Sequence, residues 1–214
     1  MQYKAILWDL DGTLLDTLCD LTTAVNTARV GRGYPARGAD EVRAFVGDGA
    51  RSLIARALPP EAGDAVDAVL QDFNAYYAAH CREATAPYDG ILPLLARLQA
   101  AGVRSGVVSN KPHYAVVPLA KEYFGDLLEL AVGSQDGVPR KPAPDTVLNA
   151  MKQLGVTAEE TLYIGDSEVD VQTARNAGVD GLFVTWGFRT PAQLKAAGAE
   201  YLVNTVEELS IALR

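Results

Sequence analysis

Residues 6–17 read ILWDLDGTLLDT. The apolar run Ala5-Ile6-Leu7-Trp8 has the length of a buried strand, and it stops at two acids, Asp9 and Asp11, followed by Gly12-Thr13. Carboxylates clustered at the end of a buried strand repel one another and lose hydration, so they need a compensating cation. In an extended segment residues two apart face the same side, so Asp9 and Asp11 address one region.

Outward from this stretch the pattern divides in two. Leu18, Leu21, Val25 and Ala28 recur at helical spacing. The Gly- and Pro-rich segment GRGYPARGAD (31–40) interrupts them. Short helices are expected near 40–46 and 50–58, separated by the loop VGDG (46–49), with Pro59-Pro60 as a stop. Val66, Val69, Leu70, Phe73, Tyr77 and His80 form a further helical stripe over 61–83. Residues 16–84 therefore read as all-helical.

From about residue 90 helices and strands alternate. Helices are expected at 90–101, 114–123, 144–154 and 168–177, with Gly102, Gly155 and Gly178 as stops. Strands are expected at 103–108, 128–132, 161–164 and 181–185. Thr190-Pro191 opens another helix. A weak strand at 201–203 precedes a last helix, with Thr205 and Glu208 as a capping box. This alternation predicts an α/β fold with a mostly parallel, Rossmann-like sheet. The block after the first strand is too long for a crossover, so it reads as an inserted helical cap. The domains are then a core of 1–15 with 85–214 and a cap of 16–84.

Composition bounds the function. The chain has 214 residues, 49% apolar and 21% charged, with formal net charge −8. With no basic stripe, nucleic acid is not an expected partner. The two cysteines, Cys19 and Cys81, form no CxxC pattern and read as reduced, buried thiols of a cytoplasmic protein. No signal segment or membrane-length apolar run is expected.

In open α/β sheets, ligands bind beyond the carboxyl ends of the strands. There the sequence puts Asp9 and Asp11, then Ser109-Asn110-Lys111, then Arg140-Lys141-Pro142, then Gly165-Asp166-Ser167 with Asp170. Each piece alone could be a turn or a helix cap. Their convergence on one rim is the stronger signal. Asp9 and Asp166 offer hard oxygen ligands suited to Mg²⁺, which keeps room for phosphate oxygens. Ser109, Asn110 and Lys141, with the amides near Gly12 and Thr13, would hold an anion beside the metal. A phosphoryl group fits that description.

D-x-D-G-T, then Ser-Asn, then Lys-Pro, then G-D-S-x-x-x-D, in this order, resembles the haloacid dehalogenase superfamily of phosphatases. The match spans nearly the whole chain. Within it FVGDGARSLIARAL, SNKP, KPAPD and GDSEVDVQTARNAG look closest to phosphoglycolate phosphatases. The resemblance implies that Asp9 is a nucleophile that carries an aspartyl-phosphate. Asp11 would protonate the leaving oxygen, later help activate water, and touch Mg²⁺ through its carbonyl. Asp166 would bind Mg²⁺, and Asp170 would support the metal or orient Lys141. A small phosphorylated metabolite is the implied substrate, and a monomer or homodimer the implied assembly.

Several alternatives remain open. A haloacid dehalogenase lacks the second acid, so Asp11 argues against it. A phosphonatase uses a cap lysine, and no lysine lies between Lys4 and Lys111. A β-phosphoglucomutase-like phosphomutase has the same core motifs, and inorganic pyrophosphatase activity is also open. A non-catalytic binding protein on this fold would usually have lost Asp9, Asp11 or Lys141, and none is missing. In the cap, Gly47 and Gly49 would bring backbone amides to the rim, and Arg51 is a candidate anchor for a second anion. His80 and His113 are not expected to bind metal.

Overall fold

A computed structural model describes residues 3–214. Its main sheet contains β1 (Ala5–Trp8), β4 (Arg104–Pro112), β5 (Leu130–Ser134), β6 (Thr161–Gly165), β7 (Asp180–Val184) and β8 (Leu202–Val203), and β2 and β3 form the separate pair described below. The order is β5-β4-β1-β6-β7-β8, with every neighbouring pair parallel. All of β1 is buried, and its faces divide. Ile6 and Trp8 pack into one apolar cluster, Ala5 and Leu7 into another. A strand covered on both faces reads as a continuous apolar run, which is why residues 5–8 do not alternate.

One cluster is covered by α5 (Ile91–Ala100) and α6 (His113–Phe124), the other by α7 (Asp145–Leu154) and α8 (Glu168–Ala177). The helix α9 (Pro191–Ala196) starts at the expected Thr190 cap, whose hydroxyl accepts from the Gln193 N–H. In α10 (Val206–Ala212) the Thr205 hydroxyl accepts from Glu208 N–H, but the Glu208 carboxylate turns to Asn204 N–H at 2.7 Å, so the expected box is only half formed.

The helical insertion contains α1 (Leu18–Val30), α2 (Ala39–Phe45), α3 (Ala50–Ala57) and α4 (Val66–His80), with a 3₁₀ turn over Pro60–Ala65. On α4, Val66, Val69, Phe73 and Tyr77 are buried, and the rings of Phe73 and Tyr77 stack at 5.3 Å. Each such buried side chain contributes about 1.5–3 kcal/mol. The sequence pattern does not show how the insertion is attached. Strand β2 (Leu15–Asp16) pairs antiparallel with β3 (Ala86–Pro87), joining its entry and exit. Asp20 reinforces the junction, accepting from Ala84 N–H, Thr85 N–H and the Thr85 hydroxyl.

Cys81 is buried and Cys19 exposed, and both are free thiols, so the expectation of two buried thiols holds for Cys81 alone. Among the described residues no helix is long and apolar enough to cross a membrane.

Candidate active site

The carboxyl ends of β1, β4 and β6 meet at one rim. Asp9, Asp11, Ser109, Asn110, Lys111, Asp166 and Ser167 line a cavity of about 50 Å³ there. The insertion closes it with Leu21, Val46, Gly47, Gly49, Ala50, Leu53, Phe73 and Tyr77.

Lys141 organises the acidic side. Its Nζ lies 3.0 Å from Asp9 Oδ1 and 2.8 Å from Asp170 Oδ1, and it donates to the Tyr163 hydroxyl at 2.9 Å. Burial would discharge this lysine, but Asp170 and Asp9 outweigh burial and hold its pKa well above the ordinary value. Asp170 also accepts from the Ser167 N–H and hydroxyl and from the Tyr163 hydroxyl. Burial pushes its pKa up, yet Lys141 and the hydroxyl donors bring it below the usual carboxylate range. Asp170 thus holds Lys141 in place, and its carboxylate also belongs to the acidic cluster with Asp9 and Asp166.

Asp9 and Asp166 are left short of positive charge. Burial pushes Asp9 up to about 6, against the pull of Lys141 and with repulsion from Asp170 and Asp11. Burial, then Asp170 and Asp9, raise Asp166 well above the ordinary range. Asp9 Oδ1 is buried and lies off the hydrogen-bond line of Lys141, so it has no aligned donor. Ligand atoms of Asp9, Asp166 and Asp170 lie within 4.8 Å of one another. An under-compensated oxygen cluster of this kind fits a hard divalent cation.

Backbone packs directly around Asp166. A Cβ at Gly12, whose φ is +82°, would lie 2.5 Å from Asp166 Oδ2, and one at Gly187 would lie 2.3 Å from it. Asp166 also accepts from the Thr13 hydroxyl at 3.1 Å and from Phe188 N–H at 2.7 Å.

Some expected donors are engaged elsewhere. The Gly12 N–H donates to Leu15 C=O at 2.8 Å and the Thr13 N–H to Leu10 C=O at 3.3 Å. These amides shape the turn, and the structure does not leave them free for an anion. The Asn110 amide donates to Gly47 C=O at 3.0 Å and to Lys141 C=O at 2.9 Å, tying insertion to core. Ser109 is buried on the cavity wall. Gly47 and Gly49 reach the cavity. Arg51 does not. It is exposed and pairs with Asp67 at 3.0 Å.

Three residues of the site were given no role by the sequence reading, although Lys111 was placed at the rim. Strand β4 does not stop at 108 but continues to Pro112, with its register to β5 shifted between Val108 and Pro112. Such irregularities re-aim side chains. Here Lys111 is turned inward, buried, with Nζ 3.0 Å from both Asp11 carboxylate oxygens. The Lys111 ammonium also donates to the hydroxyl of Tyr77, the second missed residue, at 2.6 Å. The third is Arg189, in the segment TWGFRT after β7. It is 6% exposed and grips Glu168 as well as the carbonyls of Arg43, at 3.1 Å, and Val46, at 2.6 Å. Extending the strand-end rule from β6 to β7 would have found it.

A model of the haloacid dehalogenase-like hydrolases matches residues 6–184. The chain belongs to that family. This hydrolase is 35% identical to an N-acetylmuramic acid 6-phosphate phosphatase of Pseudomonas aeruginosa, over 98% of the chain and 94% of the relative. It is 32% identical to a phosphoglycolate phosphatase of Colwellia psychrerythraea, over 99% and 97%. A crystal structure from Lactobacillus delbrueckii subsp. bulgaricus, of a protein provisionally named phosphoglycolate phosphatase, superposes with a TM-score of 0.93 at 39% identity. It covers 100% of this chain and 99% of that one. The chain is a phosphoric monoester hydrolase with a parallel-sheet core and a helical cap.

Proposed function

We propose that this hydrolase cleaves a small anionic phosphomonoester, phosphoglycolate foremost, by transfer to Asp9 with Mg²⁺ as cofactor. The cavity carries this reading. It is small, about 50 Å³ beside Asp9, and Val46, Leu53 and Phe73 of the helical cap line it, which favours a substrate with few carbons. A hexose ring would require the cap to stand open.

Asp9, Asp166 and the Asp11 backbone carbonyl would hold the metal. The bound ion would neutralise phosphoryl charge and allow the Asp9 carboxylate to approach it. Lys141 and Ser109 stand beside Asp9 to stabilise the transferring oxygens. The Asp9 carboxylate attacks phosphorus, the bridging P–O bond breaks, and Asp11 gives the leaving oxygen its proton. Asp11 then takes a proton from the water that attacks the aspartyl-phosphate and releases phosphate. Cap closure excludes stray water until that point. We place the protein in the cytoplasm, where the free Cys19 and Cys81 thiols would stay reduced.

The test is phosphate release from a panel of phosphoglycolate, N-acetylmuramic acid 6-phosphate, glucose phosphates and pyrophosphate. Phosphoglycolate is expected to give the highest kcat/KM. A higher value for N-acetylmuramic acid 6-phosphate would replace the substrate assignment. Interconversion of glucose 1-phosphate and glucose 6-phosphate faster than phosphate release would replace hydrolysis with mutase chemistry.

Metal binding has its own signature. Burial pushes the Asp9 carboxyl up to about 6. Its neutral form therefore favours folding below its unfolded pKa, and that contribution is lost as pH rises through the folded value. Mg²⁺ favours the ionised acid. Added Mg²⁺ should raise Tm more at about pH 8 than at about pH 5, and EDTA should abolish turnover. An equal Tm response at both pH values would contradict binding through Asp9.

A further inference from the structure

We propose that Lys111 reads the negative charge of the leaving group and is the residue that selects a carboxylate-bearing substrate. The proposal rests on the assignment of a small anionic phosphomonoester above.

The cations around the cavity are committed to different tasks. Lys141 serves Asp9 and Asp170 on the phosphoryl side. Arg189 lines the cavity, but Glu168 and two cap carbonyls occupy its guanidinium. Lys111 is the remaining cation among the lining residues, and it stands on the leaving-group side, against Asp11. The surrounding wall of Leu53, Phe73 and Phe188 offers an anion nothing.

Its surroundings hold the ammonium in place. The Tyr77 hydroxyl accepts from it at 2.6 Å, and the Tyr77 ring centroid lies 4.5 Å away. That contact comes from α4 of the cap, so the cap and the irregular end of β4 fix the charge jointly. In phosphoglycolate the carboxylate lies two bonds from the bridging oxygen that Asp11 would protonate. A leaving group this short puts its carboxylate beside Asp11, where Lys111 already stands. An ammonium has rotatable donors and acts as a point charge, so it can share itself between Asp11 and a second anion. Because Lys111 is buried, that attraction is much stronger than at a solvent-exposed lysine. A neutral leaving group of the same size gains no such contact.

The competing role for Lys111 is to be the counter-ion of Asp11 and nothing more. Phosphoglycolate and its isosteric amide, glycolamide phosphate, separate the two. Truncating one partner of a buried charge pair costs about 2–5 kcal/mol. Wild type is therefore expected to favour the acid over the amide by about 100-fold in kcat/KM, chiefly through KM. In Lys111→Met activity on both substrates falls, because Asp11 loses its partner. The acid-to-amide ratio is the readout, and it should collapse to about 3 or less. Lys111→Gln keeps a donor toward Asp11 and serves for the same ratio if the Met variant does not fold. A ratio unchanged in a folded variant overturns the proposal and leaves the substrate assignment standing, with Lys111 as the Asp11 counter-ion. A wild type that treats acid and amide alike overturns the proposal directly. A wild type that cleaves neither but is active on another member of the panel removes the substrate assignment, and the proposal with it.

Discussion

Asp9→Asn is expected to lose at least about 10⁴-fold in kcat while staying folded. An amide neither attacks phosphorus well nor forms the acyl phosphate, and no other carboxylate stands in the same relation to Lys141 and Ser109. Asp170 is held by four donors, and Asp166 is enclosed by Gly12 and Gly187. The same substitution should not harm the fold. Burial pushes the Asp9 carboxyl up to about 6, so above that pH the ionised side chain opposes folding by about a few kcal/mol at most. Asn removes that charge. In metal-free buffer at about pH 8, the variant should melt at or above the wild-type temperature. Steady-state turnover of phosphoglycolate and a circular dichroism melt measure both effects. Turnover within tenfold of wild type in folded protein would exclude Asp9 as the nucleophile.

Lys141→Met should produce the largest loss of stability. Its ammonium is buried between Asp9, Asp170 and Tyr163, and the tight carboxylate cluster has no second lysine. Breaking a buried pair from one side leaves uncompensated charge and costs about 3–5 kcal/mol. For a chain of this length that corresponds to a fall in Tm of roughly 10 °C. Mg²⁺ should recover part of the loss, since the ion also compensates Asp9 and Asp166. Turnover should fall by about 10³-fold even at saturating Mg²⁺, because the phosphoryl oxygens lose a fixed charge. A metal-free Tm within about 2 °C of wild type would show that Lys141 does not balance the cluster.

The sequence by itself determined the α/β order, the helical insertion after β1 and the acids that end β1 and β6. These are properties of contiguous stretches. Burial on both faces of β1 leaves an unbroken apolar run, amphipathic helices leave a 3.6-residue period, and each strand end carries its polar residues directly after it in the chain. Asp9, directly after β1, and Asp166, directly after β6, could be placed at the rim for that reason. What only the tertiary structure decided involves partners far apart in sequence. Lys111 meets Asp11 across 100 residues, through an irregularity in β4 that leaves no composition signal. Arg189 reaches the cap carbonyls of Arg43 and Val46 across 146 and 143 residues. Gly12, Thr13 and Asn110 carry motif identities that suggest phosphate contacts, yet the turn after β1 and the cap loop engage their donors. Arg51 lies only two residues from the cavity-lining Gly49 at the start of its helix, but its helix face directs it to Asp67. A local pattern records which way a side chain points relative to its own element. It does not record where that element comes to rest, because packing of cap against core sets that position through many weak contacts at once.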